Sequence, residues 1–230
     1  MNILGIIPAR KNSKGVLNKN IKIINGNPLI FYTIEKAKKS KLITDLVVSS
    51  DSNLIKKISK KSKIKNFSLR PSKLATDKST IDKTIKYELN RMEKIKKRKY
   101  ELIVLLQPTS PLRKGEIIDN SINLFIKKYK KYSSLISISK IEEPNPFKAL
   151  IFKKRKLKKL INYNTNTDTS RRQDYPKTFI PNGIIYIFKR KLIKDSKKIL
   201  GNNILGYEVK DEYINIDTNR DLLISKILLK

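Results

Sequence analysis

At 230 residues the chain is long enough to bury the core of one ordinary domain, with room for a small appendage. It has no cysteine and no histidine, which excludes disulfides, thiolate or imidazole metal sites and Ser-His triads, and leaves oxygen-held hard ions such as Mg²⁺. Its 53 Lys and Arg against 20 Asp and Glu give a formal charge of +33, but the cations run along the whole length without an aromatic-plus-basic platform, so no nucleic-acid partner is expected.

Ile3 to Ile7 is a short apolar run without polar alternation, the pattern of a buried strand rather than a signal sequence. Pro8, which has no N–H to donate, ends its ladder. No run reaches the roughly 18 apolar residues of a membrane span, so a cytoplasmic protein without a membrane partner is expected. A basic loop follows, with Arg10, Lys11, Ser13, Lys14, Gly15 and Lys19. Cations, a small hydroxyl and a glycine after a central strand suit either a phosphate site or an ordinary basic surface loop. Neither standard nucleotide-loop spacing is present, so side chains must carry more of any phosphate charge than backbone.

Asn25 to Pro28 reads as a turn, with Pro28 suited to the first turn of a helix whose inner face is Ile30, Ile34 and Ala37. Leu46–Ser50 is a second buried strand, and Asp51-Ser52 an N-cap for a helix through Lys60. Phe67–Leu69 is a third strand, closed by Arg70-Pro71. Ile81, Ile85, Leu89 and Met92 recur at helical spacing. Leu102–Leu106 is the most apolar strand and belongs near the sheet centre. It runs into Gln107-Pro108-Thr109-Ser110-Pro111-Leu112-Arg113, a helix over 115–130 with Ile118, Ile122 and Phe125 inward, and a strand over 134–139.

This alternation predicts an α/β fold, a Rossmann-like, mostly parallel sheet flanked by helices, with ligands bound beyond the carboxyl ends of the strands. That rule lines up the first loop, the Asp51 and Arg70 turns and the Gln107–Arg113 turn along one edge. From 140 to 181 the rhythm changes: prolines, Asn and Thr become frequent, Ala149–Phe152 suits a hairpin strand and Lys153–Lys159 a solvated hairpin face. The 140–181 segment is an inserted arm within a single 1–230 domain, either a lid or a subunit contact. The sheet resumes at Gly183–Phe188, and Tyr213–Thr218 caps a last amphipathic helix containing Leu223 and Ile227. Asp217, at a strand end, serves either as a helix N-cap or as an oxygen ligand for Mg²⁺. Arg172, beside Gln173, is either a bidentate carboxylate partner or a rim cation.

Four ordered blocks carry a further signal: Ile7-Pro8-Ala9-Arg10 with Asn12 to Gly15 and Lys19-Asn20; Leu105 to Arg113; Arg172-Gln173 with Pro181-Asn182-Gly183 and Tyr186; and Ile216-Asp217-Thr218. Together they span nearly the whole chain and resemble the acylneuraminate cytidylyltransferases, the CMP-sialic acid synthetases and their legionaminate and pseudaminate relatives. The resemblance implies a nucleotide-diphospho-sugar-transferase type of sheet and a Mg²⁺-dependent joining of CTP to a nine-carbon 2-keto sugar acid, with pyrophosphate released. It implies catalytic roles for Arg10, Lys19 and Asp217, and CTP contacts at Arg10, Ser13, Lys19, Asn20, Arg70 and Ser79. It implies sugar contacts at Gln107, Arg172, Gln173, Asn182 and Tyr186, metal ligation by Asp217 with Asn215, and a homodimer made through the arm.

The chain departs from the pattern at Asn215, where many members carry Asp, and at Leu17, where related enzymes often carry Pro. Two alternatives are a cytidylyltransferase for the eight-carbon keto sugar of lipopolysaccharide, whose first block differs, and a basic, non-catalytic nucleic-acid-binding α/β domain.

Overall fold

A computed structural model describes residues 1–13, 15–76, 79–141, 143–161, 175–195 and 199–229. The first half lays down β1 (Ile3–Pro8), a two-stranded ribbon of β2 (Ile23–Ile24) and β3 (Asn27–Pro28), α1 (Leu29–Lys38), β4 (Asp45–Ser50), α2 (Asn53–Lys61) and β5 (Asn66–Leu69). Then come α3 (Ile81–Lys96), β6 (Leu102–Leu105), α4 (Gly115–Lys127) and β7 (Ser134–Lys140). The exposed hairpin of β8 (Leu150–Lys153) and β9 (Lys156–Lys159) precedes β10 (Phe179–Lys189), α5 (Arg190–Asp195), β11 (Ile204–Glu208) and α6 (Asn219–Leu228).

Seven strands form one sheet in the order β11-β7-β10-β6-β1-β4-β5. β6 is the middle strand, as its unbroken apolar run requires. β1 pairs in parallel with both β4 and β6, and β4 with β5. β10 runs antiparallel to both β6 and β7, whereas β11 is parallel to β7.

Alternation along the central strands divides the core between two faces. Ile3 and Ile7 join Leu102 and Val104 against α1, α2 and α4, where Ile30, Ile34, Ile55, Ile118, Ile122 and Phe125 are packed. Leu4, Ile6, Ile103 and Leu105 face α3 and α5, meeting Ile85, Leu89, Met92 and Ile193.

The structure revises three expectations about the second half. β10 extends well beyond 183–188 at its start, and its register with β7 shifts between Pro181 and Tyr186, where Gly183 adopts φ +75°. The 213–217 stretch joins no ladder and is tied to the sheet edge by the Ile216 N–H, which donates to the Thr109 carbonyl at 2.9 Å. α6 turns Leu222 and Leu229 toward Ile24, Leu29 and Ile216, while Leu223 and Ile227 face solvent, 61% and 63% exposed.

That last correction has a physical cause in the cap. Thr218 is the N-cap, its hydroxyl accepting from the Asp221 N–H while the Asp221 carboxylate accepts from the Thr218 N–H, a capping box. The box sets the helix phase, placing 222, 225 and 229 on the inner stripe. Asp217 is therefore not the cap. It lies one residue earlier, with its carboxylate outside the helix.

Candidate active site

Beyond the carboxyl ends of β1, β5 and β6 the turns enclose a cleft of about 420 Å³. Arg10, Ser13, Lys19 and Asn20 line it from the first loop. Arg70 and Ser79 line it from the turns after β5, Gln107 and Thr109 from the turn after β6, and Asp217 from the C-terminal segment. Eight residues assigned on the family's pattern thus share one cavity: Arg10, Ser13, Lys19, Asn20, Arg70, Ser79, Gln107 and Asp217.

The first loop is held from within and from across the chain. The Asn20 amide donates to the Arg10 carbonyl at 3.0 Å. Lys19 is almost fully buried, and its ammonium donates to the Ile216 carbonyl at 2.5 Å and to Asp217 Oδ1 at 2.9 Å. Gly15 lies so close to Asp217 that a Cβ there would run into its backbone carbonyl oxygen. The Asp217 side chain remains 64% exposed, and its Oδ2 accepts from the Asn215 amide at 2.9 Å. Cation, carboxylate and amide thus meet at the cleft wall, although Lys19 and Asp217 are far apart in sequence. The Asp221 carboxyl just behind is held below the usual carboxylate range, first by the Asp217 backbone N–H and then by Thr218.

On the other wall, Arg70 is buried, and burial lowers its guanidinium below the ordinary arginine value. It is nevertheless well held, donating to the Ser49 carbonyl at 2.9 Å, the Ser49 hydroxyl at 3.3 Å and the Leu74 carbonyl at 3.4 Å. The Ser79 and Thr109 hydroxyls, which also line the cleft, are buried with no hydrogen-bond partner among the described residues. Orphaned hydroxyls at a cleft wall have the right chemistry to receive a polar ligand. Sequence reasoning passed over Thr109, although it lies within the quoted Gln107–Arg113 block.

Arg113, at the end of that block, carries a second overlooked role. It is fully buried, and burial pushes its guanidinium down to about 9. It donates to the Ile184 carbonyl at 2.7 Å, the Gln107 carbonyl at 2.8 Å and the Thr33 hydroxyl at 3.0 Å. It therefore fixes Gln107 to the β10 bulge and to α1. Around Gly183 in that bulge, the Ser110 hydroxyl, the Asn215 side-chain oxygen and the Gln107 side-chain oxygen converge, each within 3.5 Å of where a Cβ would stand.

The sugar-site assignments fare unevenly. Gln107 reaches the cleft, but Asn182 is 2% exposed and turned into the sheet. Its Oδ1 accepts from the Ser137 hydroxyl and the Ile184 N–H, and its amide donates to the Ser139 hydroxyl. With those bonds made, Asn182 shapes the bulge rather than lining the cleft. Tyr186 is partly buried on β10, stacked on Phe188 at 6.4 Å between ring centres, with its hydroxyl pKa raised by burial. Arg172 and Gln173 lie outside the described residues.

Comparison with known proteins agrees with this architecture. The family model described as Cytidylyltransferase matches residues 4–210. The chain is 32% identical to the N-acylneuraminate cytidylyltransferase of Escherichia coli, over 95% of this chain but 50% of that protein, so it spans about half the length of that relative. It is also 32% identical to post-translational flagellin modification protein B of Campylobacter coli, over 99% of this chain and 95% of that one. The CMP-N,N'-diacetyllegionaminic acid synthase of Campylobacter jejuni matches at 32% over 99% and 94% of the two chains. Among solved structures, a CMP:2-keto-3-deoxy-manno-octonic acid synthetase complexed with CTP shares the fold, with a TM-score of 0.75 at 14% identity over 100% of this chain and 98% of that one. No described helix is long and apolar enough to cross a membrane. By the match of more than half its length to one family model, over residues 4–210, this chain belongs to the cytidylyltransferase family.

Proposed function

We propose that this chain transfers the cytidylyl group of CTP to the anomeric hydroxyl of a nine-carbon 2-keto sugar acid, in the cytoplasm, where such a nucleotide is supplied. The observation that carries the reading is the convergence of Lys19 and Asp217 on a cleft that Arg10 and Arg70 also line. In the reaction the anomeric oxygen bonds to the α-phosphorus, the bond to the departing pyrophosphate breaks, and the hydroxyl proton is released. Such a transfer demands positioning and charge neutralisation rather than a covalent partner, so a chain without His or Cys is equipped for it.

Arg10 and Lys19 neutralise the triphosphate, Ser13 and Asn20 order the loop around it, and Arg70 with Ser79 faces the nucleoside. Gln107 addresses the sugar, and Arg172 with Gln173 is assigned to its carboxylate. Among the described residues there is no cluster of three acidic side chains. Asp217, whose carboxylate is exposed at the cleft wall, could hold a Mg²⁺ ion that takes its remaining ligands from phosphate oxygens and water. Asn215 donates its amide N–H to Asp217 and turns its oxygen toward Gly183, so it would join the ion only with its amide flipped. When bound, that ion would supply further neutralisation of the phosphate charge.

The test is pyrophosphate release from CTP and Mg²⁺, with N-acetylneuraminate, legionaminate, pseudaminate and the eight-carbon 3-deoxy-manno-octulosonate offered separately. Turnover with one nine-carbon acid is expected, falling about a hundredfold in Arg10→Ala. Silence with all three nine-carbon acids, or turnover with the octulosonate alone, overturns the assignment.

We also propose that the β8–β9 arm joins two copies of the chain. Leu150, Phe152 and Leu157 stand 53%, 71% and 61% exposed on it, a run of apolar side chains that suits coverage by a second subunit. Sedimentation velocity should find a dimer that Phe152→Asp shifts toward monomer. A wild-type monomer at micromolar concentration would refute the arm's role.

A further inference from the structure

Behind the Arg70 wall lies a buried carboxyl that the chemistry above leaves unused. α3 presents Ile81, Ile85, Leu89 and Met92 to the core, and Glu88 sits on that same buried side with no exposed surface. A glutamate so placed calls for an explanation, since desolvating a carboxylate is costly and an apolar residue would serve packing better.

Its contacts supply one. Glu88 Oε1 accepts from the Ser49 hydroxyl at 2.6 Å. Ser49, itself fully buried at the end of β4, accepts at that same oxygen from Arg70 Nε. The Ser49 carbonyl receives Arg70 Nη2 and, at 2.9 Å, the N–H of Ala9, where the first loop begins. One serine therefore ties together the Arg70 wall, the phosphate loop and the glutamate behind them.

A hydroxyl has one proton to give. With Glu88 ionised, that proton points to the carboxylate, and only lone pairs face the Arg70 Nε–H. Of the five guanidinium N–H groups, the bonds to Ser49 and Leu74 use three, leaving one on each terminal nitrogen for a ligand. The charged neighbours of the pair are Arg91, whose guanidinium is 3.7 Å from Glu88 Oε2, and Asp51 and Arg10 near Arg70. Burial raises the Glu88 carboxyl above its ordinary pKa, opposed by the Ser49 hydrogen bond and by the Arg91 and Arg70 charges. The cluster is not fully satisfied: Glu88 Oε2 and the Ser68 hydroxyl have no hydrogen-bond partner among the described residues.

We propose that Glu88 is a positioning residue of the nucleotide site, fixing through Ser49 the orientation in which Arg70 meets the hydrogen-bond acceptors of a nucleobase. The proposal rests on the nucleotide reading given above. Glu88 touches no substrate; its effect passes through the polarity of one hydroxyl and the charge it sets opposite the guanidinium. Glutamine keeps the shape but can turn an N–H toward Ser49, which then points its own proton at Arg70.

The test is calorimetric binding of CTP, UTP, ATP and GTP to the wild-type chain, Glu88→Gln, Ser49→Ala, Ser49→Thr and the Glu88→Gln/Ser49→Ala double variant, with KM and kcat beside it. Glu88→Gln is expected to weaken CTP about tenfold, the loss falling on KM rather than kcat. Ser49→Ala should lose a similar factor, Ser49→Thr should retain binding, and the double variant should be no weaker than the worse single one. CTP affinity within twofold of wild type in Glu88→Gln, or losses that multiply in the double variant, would overturn the proposal. If Glu88→Gln does not fold, the Ser49 pair decides: equal affinity in Ala and Thr variants refutes the relay. A wild-type chain that prefers another of the four nucleotides, and loses it in Glu88→Gln, refutes the cytidine reading and supports the relay. Binding of none of the four refutes both.

Discussion

Alanine at Gly15 is expected to lower kcat/KM for CTP by about a hundredfold while leaving the urea unfolding midpoint close to that of the wild type. The reason is steric. A Cβ at this position would be driven into the backbone carbonyl oxygen of Asp217, and neither partner is the yielding end of a flexible side chain. Gly15 is exposed, so no core contact is lost and the conflict must be relieved by the loop moving off the C-terminal segment. That movement takes the loop away from Asp217 and strains the Lys19 bridge between the two. Displacement by about 1 Å at a charge-neutralising site is enough for a loss of this size. Steady-state kinetics with a parallel urea melt make the check, and kcat/KM within threefold of wild type would show that the close approach does not matter to function.

The sheet was legible because its central strands are unambiguous. Leu102–Leu106 has no polar residue and became the middle strand, and Ile3–Ile7 became its neighbour. β11 was not legible, since it is a short edge strand with alternating partial exposure and only β7 beside it. The site was legible to a different degree. Sequence order put Arg10, Arg70 and Gln107 at strand ends, and the topology rule for ligands did the rest. The Lys19–Asp217 contact is invisible to any spacing argument because the partners come from opposite ends of the chain. Asn182 misled for the converse reason: an amide in a recognisable block reads as a ligand group, while the register shift in β10 turns it inward to satisfy Ser137, Ser139 and Ile184. Glu88 gave no signal beyond a polar residue on an apolar helix face, and its meaning appears only with Ser49 and Arg70 around it.

Lys19→Met should cost more than any other single change in the cleft, about a thousandfold in kcat/KM, or roughly 4 kcal/mol of transition-state stabilisation. The loss of folding stability is a separate and smaller quantity. The Asp217 partner is 64% exposed, so the ion pair itself contributes about 1 kcal/mol at most. Loss of the bond to the Ile216 carbonyl adds about 1 kcal/mol more. The catalytic loss has its own source: a buried ammonium already anchored at two points needs no reorganisation as charge shifts onto the leaving pyrophosphate. Asp217→Asn should also be crippled, but with a different signature. Removing the carboxylate should raise the Mg²⁺ concentration needed for half-maximal rate, whereas Lys19→Met leaves the carboxylate in place and should alter that requirement little. Mg²⁺ titrations of the two variants at saturating CTP separate the roles. A large shift in Mg²⁺ dependence for Lys19→Met with none for Asp217→Asn would refute the assignment of phosphate charge to the lysine and of the cation to the aspartate. Lys19→Met activity within tenfold of wild type would remove the lysine from the catalytic set and leave Arg10 as the loop's principal cation.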